Sequence, residues 1–169
     1  MSDGKVIIGK NVKLVRKTIG LSLQDFSIAA EISKTSLVNI EKAKTGYNLN
    51  LLEKITILTG YSLHQLSEET FRPSPNLREN LVLLHDNNLQ VKSILKKIPE
   101  IVYAIENKLL PSNFLDKPKE IKEIRHFFKQ YNWSFKSSAI TNALTRMPSK
   151  IEVRKHETKK NTNIYFRKY

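Results

Sequence analysis

Apolar residues in the first 66 positions recur at helical spacing in five short runs. In the first run, Ile8, Val12, Val15 and Ile19 lie four, three and four residues apart, which puts them on one face of a helix that ends at Gly20. This pattern predicts five small helices in one compact domain. The later runs are Phe26, Ala29 and Ala30; Leu37 and Ile40; Leu49, Leu52, Ile55, Ile57 and Leu58; and Leu63 and Leu66.

Two of these helices, within Ser22–Glu41, are separated by a tight turn in which Ile32 closes the corner. Ser22 and Ser33 are residues of the type that caps helix N-termini. Two short helices arranged in this way are typical of a helix-turn-helix, whose second helix enters the major groove of DNA. The outward side of the second helix carries side chains able to bind phosphates and base edges. These side chains are Lys34, Thr35, Ser36 and Asn39.

The composition changes after Leu66. The stretch SEETFRPSPN contains two prolines among small polar residues, and a residue that precedes proline favours extended conformations. We therefore expect a linker here, with a helix-turn-helix domain at residues 1–72 and a second region at residues 73–169.

The next segment, residues 77–110, is predicted to be helical. Leu77, Leu81 and Leu84 mark one helix, and a longer apolar stripe then recurs at nearly seven-residue intervals. Such a stripe forms either intramolecular core or the seam of a homodimer, and Pro99 either interrupts it or starts a second helix. The stripe consists of Val91, Ile94, Ile98, Ile101, Ile105 and Leu109.

The last third, residues 117–169, combines two amphipathic helices with a hairpin pattern. The first helix has the apolar face Ile121, Ile124, Phe127, Phe128 and Tyr131, and the second has Ile140, Leu144 and Met147. Apolar and polar residues then alternate on both sides of the turn TKKN. This arrangement resembles a winged helix, although the pattern resolves only two of its three helices. The expected fold class is mainly α, with a five-helix helix-turn-helix domain and a C-terminal α+β domain that ends in a β-hairpin.

The net charge of the chain indicates the class of partner that it binds. The chain has a formal net charge of +13, and residues 117–169 hold 14 Lys and Arg against 4 Asp and Glu, whereas residues 1–70 hold 9 against 7. A basic excess of this size predicts a polyanionic partner. The basic third also contains Phe127, Phe128, Trp133 and Tyr165, which makes it too aromatic for a solvated tail. In a winged helix, Ser137–Arg146 would lie in a groove of DNA, and Arg154 and Arg167 would reach phosphates.

Few chemistries other than binding are indicated. The chain has no cysteine, which excludes disulfides, thiolate metal sites and cysteine nucleophiles. His64, His85, His126 and His156 lie in separate segments without metal-ligand spacing. No phosphate-binding glycine loop or hydrolase motif is present, so no enzyme, metal or cofactor is expected. No apolar run approaches the roughly 20 residues that span a bilayer, and a cytoplasmic location is expected.

Residues 8–66 resemble the Cro and CI repressor-like helix-turn-helix domains, known as the XRE family. The resemblance rests on IGKNVKLVRK, LSLQDFSIAAEISKTSLVNIEKAK and LNLLEKITILTGYSLHQL, which keep the family's order of elements without a gap. It implies binding of duplex DNA. It also implies a structural ion pair between an Arg late in the first helix and a Glu at the end of the recognition helix, positions that Arg16 and Glu41 occupy.

Two positions depart from the family's pattern. Leu23 stands where the family usually has a phosphate-binding Gln, and Gln24 follows one place later. Glu31 stands where the family favours Gly in the turn, and left-handed dihedral angles would cost a residue with a side chain roughly 1 kcal/mol. We therefore expect either a differently built turn or a strained one.

These observations predict a sequence-specific regulator of transcription that binds double-stranded DNA, with the helix at residues 33–41 in the major groove. A homodimer through residues 77–110 would place two such helices on inverted half-sites. The alternative is an antitoxin-like regulator whose C-terminal region binds a protein partner. A third possibility is a DNA-processing enzyme with Tyr165 or Tyr169 as nucleophile, but no accompanying histidine cluster or arginine-histidine set is recognisable. The residues expected to contact DNA are Gln24, Lys34, Thr35, Ser36, Asn39 and Lys44, and in the basic third Lys136, Ser138, Thr141, Asn142, Arg146, Lys159 and Lys160.

Overall fold

The computed structural model describes residues 4–44 and 48–169. The described chain is mainly helical, with a three-stranded antiparallel sheet near its C-terminus. This confirms the predicted fold class. The chain divides into two compact units, the first ending at Pro99 and the second beginning at Glu100.

The first unit contains all five helices that the apolar pattern predicts, followed by two more. Each of the predicted buried faces of the helix-turn-helix segment lies in one continuous core. The helices are α1 (Gly4–Thr18), α2 (Leu23–Ala29), α3 (Lys34–Glu41), α4 (Leu49–Thr59), α5 (Leu63–Leu66), α6 (Leu77–Leu84) and α7 (Leu89–Lys96).

Short polar side chains fix where several of these helices begin. The hydroxyl of Ser22 accepts a hydrogen bond from the Asp25 amide at 3.0 Å, and that of Ser33 accepts one from the Ser36 amide at 2.9 Å. Both predicted caps are thereby confirmed. Ser62 forms a reciprocal capping box at the start of α5. A cap of this kind stabilises a helix by about 1 kcal/mol.

The proline-containing stretch before α6 is packed against the first unit. Phe71 is buried and meets the ring of Tyr61 edge-on, with the ring centroids 5.0 Å apart. The Tyr61 hydroxyl also accepts a hydrogen bond from the Ser74 amide at 2.8 Å. Because these contacts hold the stretch against the core, α6 and α7 join the first unit, and the division lies at residue 99 rather than near residue 72.

The apolar stripe of residues 91–109 is divided between two cores. Val91 and Ile94 pack in the core of the first unit, whereas Ile105 and Leu109 pack in that of the second. At these four positions the stripe is intramolecular core, the first of the two interpretations. A homodimer through residues 77–110 remains a prediction, and it would use other side chains of this segment, such as the exposed Leu83 and Leu89.

The second unit places three helical segments against the sheet. Its strands pair in the order β1–β3–β2, all antiparallel, with Tyr165 of β3 opposite both Lys119 and Val153. The elements are α8 (Ile101–Ala104) continued by a π-helical turn (Ile105–Leu109), a 3₁₀ turn (Asn113–Asp116), β1 (Lys119–Glu120), α9 (Ile121–Lys129), α10 (Ser137–Thr145), β2 (Ile151–Lys155) and β3 (Asn163–Arg167).

The order of elements in this unit is helix, strand, helix, helix, strand and strand, and its resemblance to a winged helix stays a prediction. Helix α8 with its π-helical turn precedes the two helices that the amphipathic patterns predict, and the sequence pattern does not resolve it. The compact unit therefore begins at Glu100 rather than at residue 117. The core includes Ile124, Phe128, Ile140 and Leu144, as the amphipathic patterns predict, and Tyr165 is only 1 % exposed.

Candidate nucleic-acid interface

The turn between α2 and α3 contains a non-glycine residue in the left-handed region. Glu31 has φ +54°, a conformation that costs a residue with a side chain roughly 1 kcal/mol. Two contacts stabilise it, because the Ile32 amide donates to the Ser27 carbonyl at 3.0 Å and Lys54 Nζ donates to the Glu31 carbonyl at 3.0 Å. Of the two expectations for Glu31, the strained turn is the one observed.

A two-pronged ion pair joins the end of α1 to the end of α3. Arg16 Nε lies 2.6 Å from Glu41 Oε1, and Arg16 Nη2 lies 2.9 Å from Glu41 Oε2. Both side chains are only 7 % exposed, and Arg16 Nη1 also donates to the Leu21 carbonyl at 3.0 Å. The predicted structural ion pair is therefore present, and it fixes the C-terminal end of α3.

Helices α1 and α3 approach closely at a glycine. A Cβ atom added to Gly9 would lie 2.2 Å from the carbonyl oxygen of Ile40, which no side chain can accommodate without movement of the backbone. Nearby, the buried Asn11 amide donates to the carbonyls of Leu66 at 3.0 Å and Glu68 at 2.8 Å. Gly9 lets α3 pack directly on α1, whereas Asn11 holds α1 against the end of α5, and the sequence pattern indicates neither contact.

The outward side of α3 has the predicted polar composition. Lys34 and Thr35 are exposed, while Ser36 and Asn39 are half-buried. The Ser36 hydroxyl lies 2.7 Å from that of Ser33, so part of its hydrogen-bonding capacity is used at the start of the helix. Gln24 at the start of α2 and Lys44 after α3 are exposed. Lys34, Thr35 and Asn39 are therefore the side chains best placed to meet base edges and phosphates.

Helix α10 presents a second polar face. Ile140, Ala143 and Leu144 are buried, and the opposite side of the helix is exposed or half-buried and uncharged except at its ends. The residues on or beside this face are Lys136, Ser137, Ser138, Thr141, Asn142, Thr145 and Arg146. The side of α10 predicted to face DNA is thus the side turned away from the core.

The loop between β2 and β3, residues 156–162, is here called the wing. It closes through a hydrogen bond from the His156 amide to the Thr162 carbonyl at 2.9 Å. His156 Nδ1 accepts from the amides of Thr158 at 3.2 Å and Lys159 at 3.3 Å. Lys160 is exposed, whereas the Lys159 ammonium contacts the carboxylate of Glu120 on β1. Of the two wing lysines, only Lys160 extends freely from the described surface.

Two arginines of the hairpin have local roles. The guanidinium of Arg167 donates to the carbonyls of Leu110 and Ser112, the latter at 2.6 Å, so it holds the loop after the π-helical turn. The expectation that Arg167 reaches phosphates stays a prediction, and the Nη2 donors that hold these two carbonyls are not available for such a contact. Arg154 donates to Glu152 at 2.7 Å and lies over the ring of Phe166, yet it remains largely exposed.

A groove of about 480 Å³ separates α9 and α10 from the wing. It is lined by Lys122 and Arg125 of α9, Ser137 and Thr141 of α10, and Asn161 and Asn163 of the β2–β3 hairpin. Glu120 and Tyr165 also line it. We call it the wing groove. Sequence reasoning missed Lys122 and Arg125, although they lie three residues apart on the polar side of α9, opposite the predicted apolar face.

Two acidic groups near the wing groove are stabilised in their charged forms. The hydrogen bond from Lys159 lowers the pKa of Glu120 below its ordinary value, against the opposing effect of burial. The backbone amide of Glu120 likewise lowers the pKa of Glu123, which also accepts a hydrogen bond from Lys119 at 3.2 Å. Both carboxylates therefore remain negative and local partners largely balance their charge.

The described residues offer few features of another kind. Within residues 4–44 and 48–169, no three His, Asp or Glu side chains come together as a metal site. Tyr165 packs in the core and Tyr169 is 93 % exposed. None of the described helices is both long and apolar enough to cross a membrane. No known protein family, curated protein or solved structure matches the chain.

Proposed function

We propose that this chain is a sequence-specific, repressor-like regulator of transcription that binds double-stranded DNA. The observation that carries the proposal is the way α3 is held. The buried Arg16–Glu41 pair and the close approach at Gly9 fix its inner side. Its outer side presents Lys34, Thr35 and Asn39 toward solvent. A rigid helix with short polar side chains on its free face suits insertion into the major groove.

The side chains have distinct roles in this proposal. Asn39 pairs with an adenine through its amide, which can donate to N7 and accept from N6 in the combination that distinguishes adenine. Lys34 and Lys44 neutralise phosphates, a contact that carries no base preference. Ser36 contributes less than Thr35 because its hydroxyl already contacts Ser33.

The second unit supplies additional affinity in the same proposal. It is the more basic unit, and α10 and the wing expose polar and cationic side chains on a winged-helix topology. We assign Lys136, Ser138, Thr141, Asn142, Arg146 and Lys160 to this second contact with DNA. Binding that depends on so many cations weakens steeply as salt rises.

Selection of bound duplexes from a random pool by the full chain tests the proposal. The expected result is an enriched sequence motif, with a second separated motif if α10 also contacts bases. Failure to enrich any motif would contradict sequence-specific binding. If the motif is unchanged when the α10 face is replaced, the second unit has another role. The alternative is then an antitoxin-like regulator whose second unit binds a protein partner.

A further inference from the structure

We propose that the wing groove binds a backbone phosphate of the polynucleotide. This inference rests on the DNA-binding function proposed above and names a site within it. The groove lies entirely in the second unit, and none of its cations belongs to the side chains that the sequence pattern selects.

The lining is rich in hydrogen-bond donors that converge from three elements. Lys122 and Arg125 provide charged donors from α9, and Ser137 and Thr141 provide hydroxyls from α10. Asn161 and Asn163 add side-chain amides from the β2–β3 hairpin. Donors on three sides of one concavity match an anion with several acceptor oxygens, and phosphate has that character.

The two cations are available to a ligand. Lys122 and Arg125 are exposed, and neither forms an ion pair with another described residue. The one carboxylate of the lining, Glu120, is in contact with Lys159 and close to His156. The charge of Lys122 also acts on this carboxylate, but the lining holds two cations against one carboxylate, so the groove keeps a net positive charge.

Tyr165 provides a second, independent observation. Its side chain is 1 % exposed and still lines the groove. Within the described residues, no group forms a hydrogen bond with its hydroxyl, yet that oxygen is not among the buried polar atoms left unsatisfied. The hydroxyl must therefore reach solvent, and it is available to donate to a ligand oxygen.

The position of the groove favours a polynucleotide as the source of the phosphate. The groove is open and lies between the polar face of α10 and the wing. One strand of the DNA backbone separates the major groove from the adjacent minor groove. In the proposed binding mode, with α10 in the major groove and the wing beside the minor groove, the two elements would straddle that strand and its phosphates would lie at the surface between them.

The experiment compares two charge-matched double variants of the full chain. Lys122→Gln with Arg125→Gln removes the groove cations. Lys117→Gln with Lys129→Gln removes two exposed cations of the same unit that do not line the groove. Binding to a duplex is measured as a function of salt. We expect the groove variant to lose roughly tenfold or more in affinity and its log–log salt slope to fall by roughly 0.9, the value for one phosphate contact, while the control stays within roughly threefold of the wild type.

Tyr165→Phe and titration with inorganic phosphate complete the test. The Phe variant keeps the core and lacks the hydroxyl, so we expect a smaller loss in affinity than for the double variant. Saturable NMR shifts of the Arg125 and Asn163 side chains with inorganic phosphate, absent in the groove variant, would support the site even if the chain bound no DNA. That outcome would overturn the proposed function and the polynucleotide as the source of the phosphate, but not the phosphate site itself.

Equal losses in the groove and control variants would overturn the inference, because bulk charge would then explain both. The inference would also be overturned if the wild type bound DNA and the groove variant bound it with the same affinity. Absence of both DNA binding and a saturable phosphate shift would exclude a phosphate site altogether. Tight binding of free phosphate without binding of a polynucleotide would assign the groove to a small phosphorylated ligand instead.

Discussion

Arg16 and Glu41 meet through two parallel hydrogen bonds of 2.6 and 2.9 Å, with both side chains almost excluded from water. Each residue lies in a different helix, so the pair sets the distance between α1 and α3. A guanidinium and a carboxylate in this forked geometry constrain direction as well as distance. Helix α3 is consequently held at its C-terminal end, opposite its polar N-terminal half.

Replacing Glu41 with alanine should destabilise the fold strongly. The change leaves the buried Arg16 charge without its partner, and we expect the free energy of unfolding to fall by about 3 kcal/mol or more. Urea denaturation followed by circular dichroism measures it. Glu53→Ala, at an exposed position of α4, is the matched control. A loss no larger than that of Glu53→Ala would show that the pair does not stabilise α3. The double variant Arg16→Met, Glu41→Leu should recover much of the loss.

Gly9→Ala tests the close approach of α1 and α3. The added methyl group would lie 2.2 Å from the Ile40 carbonyl oxygen, so one helix must move, at a cost of roughly 1–3 kcal/mol. Gly4→Ala is the control, because its position in α1 is open. Thermal unfolding measures the effect, and we expect the melting temperature to fall in Gly9→Ala but not in Gly4→Ala. An unchanged melting temperature for Gly9→Ala would mean that the helices are farther apart than described.

Stability should fall at acid pH through Asp25. Burial raises the pKa of this carboxyl, but the hydrogen bonds from Lys97, 2.7 Å away, and from Ser22 outweigh it, and the pKa lies below its ordinary value. A lowered pKa stabilises the fold above the unfolded-state value near 3.9, and this contribution is lost as the pH falls through the lower folded value.

Urea denaturation at a series of pH values measures the effect. We expect the fall in unfolding free energy below about pH 4 to be shallower in Asp25→Asn and in Lys97→Ala than in the wild type. The prediction fails if Lys97→Ala retains the full pH dependence of the wild type, because Lys97 would then not stabilise the charged form of Asp25.

Glu120→Gln should strengthen binding to DNA. The change removes the carboxylate that lines the wing groove and holds the Lys159 ammonium, so one additional cation becomes available to phosphates. We expect tighter binding at low salt and a salt slope steeper by roughly 0.9. Glu157→Gln, which removes an exposed wing carboxylate outside that groove lining, is the control. Weaker binding by Glu120→Gln at low salt would argue that the Glu120–Lys159 contact orients the wing productively.

Local signals in the sequence account for much of the first unit. The spacing of Val12, Val15 and Ile19 and the caps at Ser22 and Ser33 predict α1 to α3, and the structure confirms each. Contacts between residues that are distant in the chain are harder to predict from local sequence patterns. The sequence around Gly9 does not indicate the Ile40 carbonyl beside it, because the two residues come together only when α1 and α3 pack.

The division of the chain shows a second limit of sequence patterns. The prolines near residue 74 indicate an extended stretch, and the stretch is indeed non-helical. They do not reveal that Phe71 is buried against Tyr61. Arg78 is equally unpredictable, since this buried cation donates to the carbonyls of Ile19 and Lys97. Tertiary contacts, rather than composition, therefore decide which unit α6 and α7 join.

Sequence patterns likewise predict only part of the candidate site. The polar sides of α3 and α10 follow from helical periodicity, so Lys34, Thr35, Asn142 and Arg146 are found from the sequence and are exposed. Lys159 and Arg167 look equivalent to them as charges. Only the fold shows that Lys159 contacts Glu120 and that Arg167 holds the loop at Leu110.

The most direct test of the central claim compares Asn39→Ala and Lys34→Ala on the duplex that the full chain prefers and on single-base variants of that duplex. We expect Asn39→Ala to cost about 1–3 kcal/mol of binding free energy and to relax the preference at one base pair. Lys34→Ala should weaken binding to all duplexes evenly and lower the salt slope by roughly 0.9. An Asn39→Ala variant with the wild-type order of preference at every base pair would contradict base recognition by Asn39.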